Sequence, residues 1–223
     1  MRYIYVHGLG QSSDSWEQVI AMTDTSADSE SVNLSALSQG NAASYADIYG
    51  AFCAHCDKIP DRLSLCGLSL GGVLALNYAL EHPQRVSSMA LIAVQFKMNK
   101  MKTLLRLQNA AFRLMPNSAF SGTGFGKSDF ITLCKSMSRL DFSDNLQSIK
   151  CPVLIVCGSR DRFNLKASVS LNQRLSNSSL KVINGCGHEV NKDAPQALAD
   201  ELNRFYREFK CLKKQVKHLQ EKI

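Results

Sequence analysis

The sequence predicts an α/β fold, a mostly parallel sheet of about six strands flanked by helices. Three observations predict it. Short runs that are apolar throughout, such as Met89-Ala90-Leu91-Ile92-Ala93-Val94, alternate with stretches of helical periodicity. Runs without polar alternation belong to strands covered on both faces, the habit of parallel sheets. Parallel neighbours need right-handed crossovers, and the intervening helices supply them in a three-layered architecture. The length of 223 residues suits one large domain, and 45% hydrophobic with 20% charged residues excludes a chain disordered as a whole.

The elements follow in order. Residues 3–6 form a short β-rich run, and His7-Gly8-Leu9-Gly10 leads from it into a helix over about 13–22. Residues 23–31 are polar and acidic, a loop, and 31–34 are a polar strand candidate. A helix over 45–58 precedes a buried strand over 63–66. The helix over 70–81 stops at His82-Pro83, since proline disfavours helical backbone in the residue before it. Strands are expected over 88–94, 153–157 and 180–183, and a long helix follows Pro195. The interval 95–150 breaks the rhythm with two helical patterns, 98–115 and 129–139, joined by Ser121-Gly122-Thr123-Gly124-Phe125-Gly126. It reads as a helical cap inserted after the fourth strand, leaving 1–94 and 151–223 as the core.

Charge and cysteines exclude several classes. The net charge is +7, yet residues 1–60 carry two basic and seven acidic side chains. Lys97, Lys100, Lys102, Arg106 and Arg113 fall in a stretch without an acid. No nucleic-acid motif accompanies these patches and aromatics are few, so no nucleic-acid partner is expected. No run approaches the ~20 apolar residues of a membrane span. Residues 1–6 are too short for a signal-peptide core, so a cytoplasmic location with reduced thiols is expected. Cys53-Ala54-His55-Cys56 lacks the second ligand pair of a zinc site, and no metal or cofactor is expected. His55 and His218 fall on helical patterns and read as solvated; His82 reads as a helix C-terminal cap.

The strongest chemical signal is Gly67-Leu68-Ser69-Leu70-Gly71 between a strand and a helix. A serine on that sharp turn takes a strained conformation, and glycines two before and two after let neighbouring backbone pass. The hydroxyl is held above the strand ends, at a helix N-terminus. Serine needs a base, and His188 in Gly187-His188 follows the strand over 180–183. The base needs an acid, and Asp161 in Gly158-Ser159-Arg160-Asp161 follows the strand over 153–157. Asp141 and Asp144 compete for that role from within the inserted segment. Backbone N–H groups of Leu70, after the serine, and of Leu9, after the first strand, are candidates for an oxyanion hole.

With these motifs in the order Ser, Asp, His, the chain from Tyr3 to about Phe209 resembles the α/β-hydrolase superfamily. The first strand here would correspond to that family's third. The resemblance implies an α/β-hydrolase fold and a cofactor-free Ser69–His188–Asp161 serine hydrolase with a variable cap, closest to members acting on esters, thioesters or lactones of small acyl compounds. An acyltransferase, a lyase using the same triad, and a ligand-sensing protein with little turnover are the alternatives.

Beyond the domain, Leu198, Leu202, Phe205, Phe209, Leu212, Val216, Leu219 and Ile223 step alternately by four and three, a heptad pattern. A helix from Pro195 onward would be about 42 Å long. Its far end, flanked by Lys213, Lys214, Lys217 and Lys222, is expected to meet a second copy of the chain or an anionic membrane surface.

Overall fold

The structure is a computed structural model that describes residues 1–37, 44–98, 110–120 and 122–220, the side chains of 210 and 212–220 excepted. Its strands are β1 (Arg2–Val6), β2 (Ser29–Val32), β3 (Leu63–Leu68), β4 (Val86–Ile92), β5 (Val153–Gly158) and β6 (Ser178–Ile183). They form one six-stranded sheet in the order β2-β1-β3-β4-β5-β6, every pairing parallel. The helices include α1 (Glu17–Ala21), α2 (Leu34–Leu37), α3 (Tyr45–Asp57), α4 (Leu70–Glu81), α5 (Lys127–Met137), α6 (Arg162–Arg174), α7 (Val190–Asp193) and α8 (Pro195–Gln220).

Successive strand side chains point to opposite faces, so each buried strand feeds two cores. Ile4, Val6, Leu63, Leu65, Val153 and Ile155 meet α3, α4 and α6 on one face. Tyr3, Tyr5, Cys66, Leu68, Leu154 and Val156 meet Trp16, Val19 and α8 on the other. Ser64 and Ser88, in register on β3 and β4, are buried but satisfy each other at 2.7 Å.

The polar strand lies two residues earlier than its sequence pattern suggests. β2 is an edge strand whose single buried residue is Val32, so Ser29, Glu30 and Ser31 keep contact with solvent. Leu34 instead begins α2, because the Asn33 carboxamide oxygen accepts the N–H groups of Ser35 and Ala36 and starts a helix there. Residues 13–22 divide into a 3₁₀ turn, Ser13–Trp16, and α1. His55, expected to be solvated, is half-buried and meets Glu30 at 2.7 Å, tying α3 to β2. His82 does end α4, its N–H donating to the Tyr78 carbonyl.

α8 buries Leu198, Ala199, Leu202, Phe205 and Tyr206 against the sheet, and Phe209 is buried as well. Its Asn203 carboxamide bonds Met22 O and Asp24 N, fixing the loop after α1. The backbone stays helical to Gln220, 26 residues in all. The side chains of Leu212, Val216 and Leu219, and Ile223 altogether, lie outside the described residues. No described helix is long and apolar enough to cross a membrane.

In the interval 95–150, residues 110–114 are helical and α5 takes the place of the second helical pattern, while 99–109 lie outside the described residues. Lys97 is not uncompensated: it pairs with Asp141 at 3.2 Å. Lys100, Lys102 and Arg106 lie outside the described residues, and Arg113 is exposed.

Candidate active site

The sheet order turns at its middle. From β1 the chain crosses to β2 on one side, and from β3 to β4 on the other, which leaves a crevice beyond the carboxyl ends of β1 and β3. A cavity of about 390 Å³ opens there, lined by Leu9 after β1, by Ser69 and Leu70 after β3, and by Asp161 and His188 after β5 and β6.

Ser69 stands at φ +51°, ψ −113°, a left-handed conformation that costs a non-glycine residue about 1–3 kcal/mol. The strain is held by backbone: Ser69 N–H donates to Ile92 O at 2.9 Å and Ser69 O accepts from Val73 N at 3.0 Å. The flanking glycines are there for want of space. A Cβ on Gly67 would lie 2.4 Å from the Gly71 carbonyl, and one on Gly71 would lie 2.2 Å from Val6 O. Ala93, also on the cavity wall, has the same positive φ of 51°, so both left-handed non-glycine residues among those described stand at this crevice.

His188 Nδ1 and Asp161 Oδ2 are 2.7 Å apart. Asp161 caps α6, its Oδ1 accepting from Asn164 N–H at 3.2 Å, so one carboxylate starts a helix and faces an imidazole. Burial pushes the Asp161 carboxyl up, but the hydrogen bonds from His188 and Asn164 outweigh it and hold it below the ordinary carboxylate value. Of the competing acids, Asp141 is engaged with Ser143 N and Lys97 and held at about 2, and neither it nor Asp144 lines the cavity.

The loop after β1 is locked by a histidine that has no place in the cavity. His7 is fully buried; its Nδ1 meets Gly8 O at 2.9 Å and its Nε2 accepts from Leu34 N at 3.1 Å. Since Nε2 must accept and a carbonyl cannot donate, the proton is on Nδ1 and the ring is neutral. Burial lowers its pKa below the ordinary 6.5, against the opposing bond to Gly8. This gives a pH signature. A histidine depressed on folding contributes its full stability above the unfolded value, near 6.5, and loses it as pH falls through the folded value. His7→Ala should therefore cost about 1–3 kcal/mol at pH 7.5, and the gap to the parent should narrow as pH falls below about 6, read from denaturant midpoints. A constant gap across that range would mean the ring is not buried neutral.

Three functional candidates are silent in the sequence. Gln11, buried beneath the same loop, accepts from Asn191 Nδ2 at 3.2 Å and donates to Glu189 Oε1 at 2.9 Å. It ties the Leu9 loop to the segment that follows His188. Asn164 Nδ2 donates to Asp161 Oδ2 at 2.7 Å, and Gln95 Nε2 donates to Asn164 Oδ1 at 2.9 Å. Gln95 and Asn164 both line the cavity.

The rest of the wall is apolar. Phe112, with Phe130, Cys134 and Met137 of α5, lines the cavity together with Met98 and Phe163. Phe112, Phe120 and Phe130 pack edge to face at 4.8–5.8 Å between ring centres. Burial raises the Cys134 thiol to about 11, so it faces the cavity uncharged. Among the described residues no group of three or more His, Cys, Asp or Glu could hold a metal ion.

Residues 3–201 match the model of the Alpha/beta hydrolase family. The monoacylglycerol lipase ABHD6 of Mus musculus is 25% identical over 153 residues, 60% of this chain and 46% of that protein. The chain thus spans about half the length of the curated relatives it matches. Among solved structures, a haloalkane dehalogenase variant from Bradyrhizobium elkanii superposes with a TM-score of 0.77 at 14% identity, covering 96% of this chain and 91% of the other. The enol-lactonase from Burkholderia xenovorans gives 0.72 at 17% identity, with 92% and 91% covered. These likenesses show the fold alone.

Proposed function

The chain belongs to the alpha/beta hydrolase family, and on that premise we propose that it hydrolyses a carboxylic ester with an apolar acyl chain, Ser69 being the nucleophile. The observation that carries the reading is the 2.7 Å contact between His188 Nδ1 and Asp161 Oδ2 in the wall of the cavity that also exposes strained Ser69. With its Nδ1–H donating a hydrogen bond to Asp161, His188 keeps the Nε2 lone pair for the serine proton. Ser69 Oγ attacks the ester carbonyl as His188 Nε2 takes that proton, and the carbonyl π pair moves onto oxygen. The N–H groups of Leu9 and Leu70 receive this oxyanion. Leu70 suits the task because, as the first residue of α4, its N–H has no carbonyl one turn back. Collapse expels the alcohol, which takes the proton from His188 Nε2. Water, deprotonated by the same nitrogen, then releases the acid and restores Ser69.

The name of the Mus musculus relative, a monoacylglycerol lipase, supports ester hydrolysis as the reaction class. The apolar wall formed by Leu70, Phe112, Phe130 and Met137 supports an acyl chain as the part held under the inserted segment. Each methylene buried there is worth about 0.8 kcal/mol, or up to fourfold in kcat/KM, until the cavity is full. A p-nitrophenyl ester series from acetate to laurate should therefore rise and then fall, and a fluorophosphonate should label Ser69. A chain left unlabelled by the probe, or one indifferent to acyl length, would overturn the corresponding half of the reading.

A further inference from the structure

Asp161 is held by more than the histidine it faces. A carboxylate only accepts hydrogen bonds, so the Asn164 carboxamide must turn its NH₂ group to Asp161 Oδ2, at 2.7 Å. That leaves Asn164 Oδ1 facing the other way, where Gln95 must present its own NH₂, at 2.9 Å. The amide orientations follow one from the next, starting from the charge on Asp161. Asn164 supplies two of the three donors on that carboxylate, its backbone N–H on Oδ1 and its side chain on Oδ2. Its Nδ2 also lies 3.1 Å from His188 Nδ1, packed into the angle between acid and base.

On the reading of Ser69, His188 and Asp161 given above, we propose that Gln95 and Asn164 are positioning residues that fix the Asp161 carboxylate plane so that Oδ2 aims at His188 Nδ1. The line runs from the end of β4 through Gln95 to the first turn of α6 and on to the loop after β6, so it joins three elements that are not consecutive in the chain. A carboxylate free to rotate would spend time with neither oxygen in line with His188 Nδ1, and the imidazole would lose the acceptor that orients it. Because Gln95 and Asn164 also line the cavity, the group that orients the acid is exposed to whatever occupies the site.

Arg160 and Arg162 flank Asp161 in the chain. His188 faces it directly, and Cys157, at the end of β5, reaches only its backbone carbonyl, at 3.9 Å. Glu189, beside His188, is turned to Gln11 and Lys192. Cys134 shares the cavity as a neutral thiol. The donors on Asp161 therefore come from His188 and Asn164 alone among the described residues.

Asn164→Leu, near-isosteric, and Gln95→Leu, one heavy atom shorter, test this, with two readouts on the intact protein. The rate of fluorophosphonate labelling of Ser69 should fall about 10- to 100-fold in Asn164→Leu, the scale of one lost hydrogen bond to a charged group, and by less in Gln95→Leu. The ¹³C titration midpoint of the Asp161 carboxyl should rise in both, because the ionised form has lost a donor or the anchor of one. A merely structural role would lower the melting temperature and leave that midpoint where it is, and this outcome overturns the proposal. Should Asn164→Leu fail to fold, Gln95→Leu decides alone, since its bond is one step removed from the α6 cap. A parent protein that the probe does not label overturns the Ser69 reading, while the carboxyl titration still decides the placement of Asp161.

Discussion

Replacing Ser69 with alanine should lower hydrolysis of a short p-nitrophenyl ester by at least about 10³-fold, with the fold unchanged. The loss is expected because, among the described residues of the cavity wall, the one other hydroxyl or thiol is Cys134, held neutral by burial with its thiol at about 11. Stability is expected to hold because alanine meets the same strain at φ +51° that serine does, and the Ser69 side chain makes no cap bond to α4. Asp161→Asn should be impaired on a similar or larger scale, since an asparagine offers His188 Nδ1 a donor or a weaker acceptor and so loosens the tautomer. Initial rates and a thermal melt on the same preparations check both. Activity within tenfold of the parent for Ser69→Ala would place the nucleophile elsewhere, and near-normal Asp161→Asn would detach Asp161 from the chemistry.

Gly71→Ala should be among the most damaging single-methyl changes at the described glycines. Its Cβ would stand 2.2 Å from Val6 O and 2.8 Å from His7 O, atoms of main chain that cannot step aside as a side chain could. Either α4 lifts off the sheet or the loop carrying Leu9 moves, at a cost of about 3 kcal/mol or more. The two outcomes share one signature, loss of Ser69 labelling together with a lowered denaturant midpoint. Gly50→Ala is the matched control. Gly50 lies inside α3 with nothing within 4 Å of the added carbon, so there the same methyl should stabilise by up to about 1 kcal/mol through helix propensity. If both changes behave alike, the tight crossing of α4 over the end of β1 is not what holds this turn.

What the sequence determined by itself is local. Apolar runs without alternation placed β1, β3 and β5 and found β4, which lies at Val86–Ile92 rather than 88–94 because Ala93 leaves the strand at positive φ; these inner four strands are those without an exposed side to pattern. Gly-x-Ser-x-Gly between such a run and a helix identified the turn at Ser69, because the lack of room at Gly67 and Gly71 leaves a trace in the residues themselves. Asp161 and His188 were legible as residues just past strand ends, a property of position along the chain. The edge strand was misplaced because its burial is too slight to pattern it, and Asn33, a side chain that caps a helix, looks in sequence like any loop asparagine.

Only the tertiary structure could bring the long-range partners together. Gln11 meets Asn191 across 180 positions, and Gln95 meets Asn164 across 69. A lone glutamine after a strand and an asparagine in a helix's first turn carry no periodicity, spacing or charge by which to read them. His7 looked like the opening of a turn motif, and its burial as a neutral ring follows from Leu34, 27 positions away. Patterning is set by which face of an element meets solvent, so it is written along the chain. Hydrogen-bond partnership between loops is set by where the sheet's twist and crossovers carry their ends, and no single stretch of sequence holds that information.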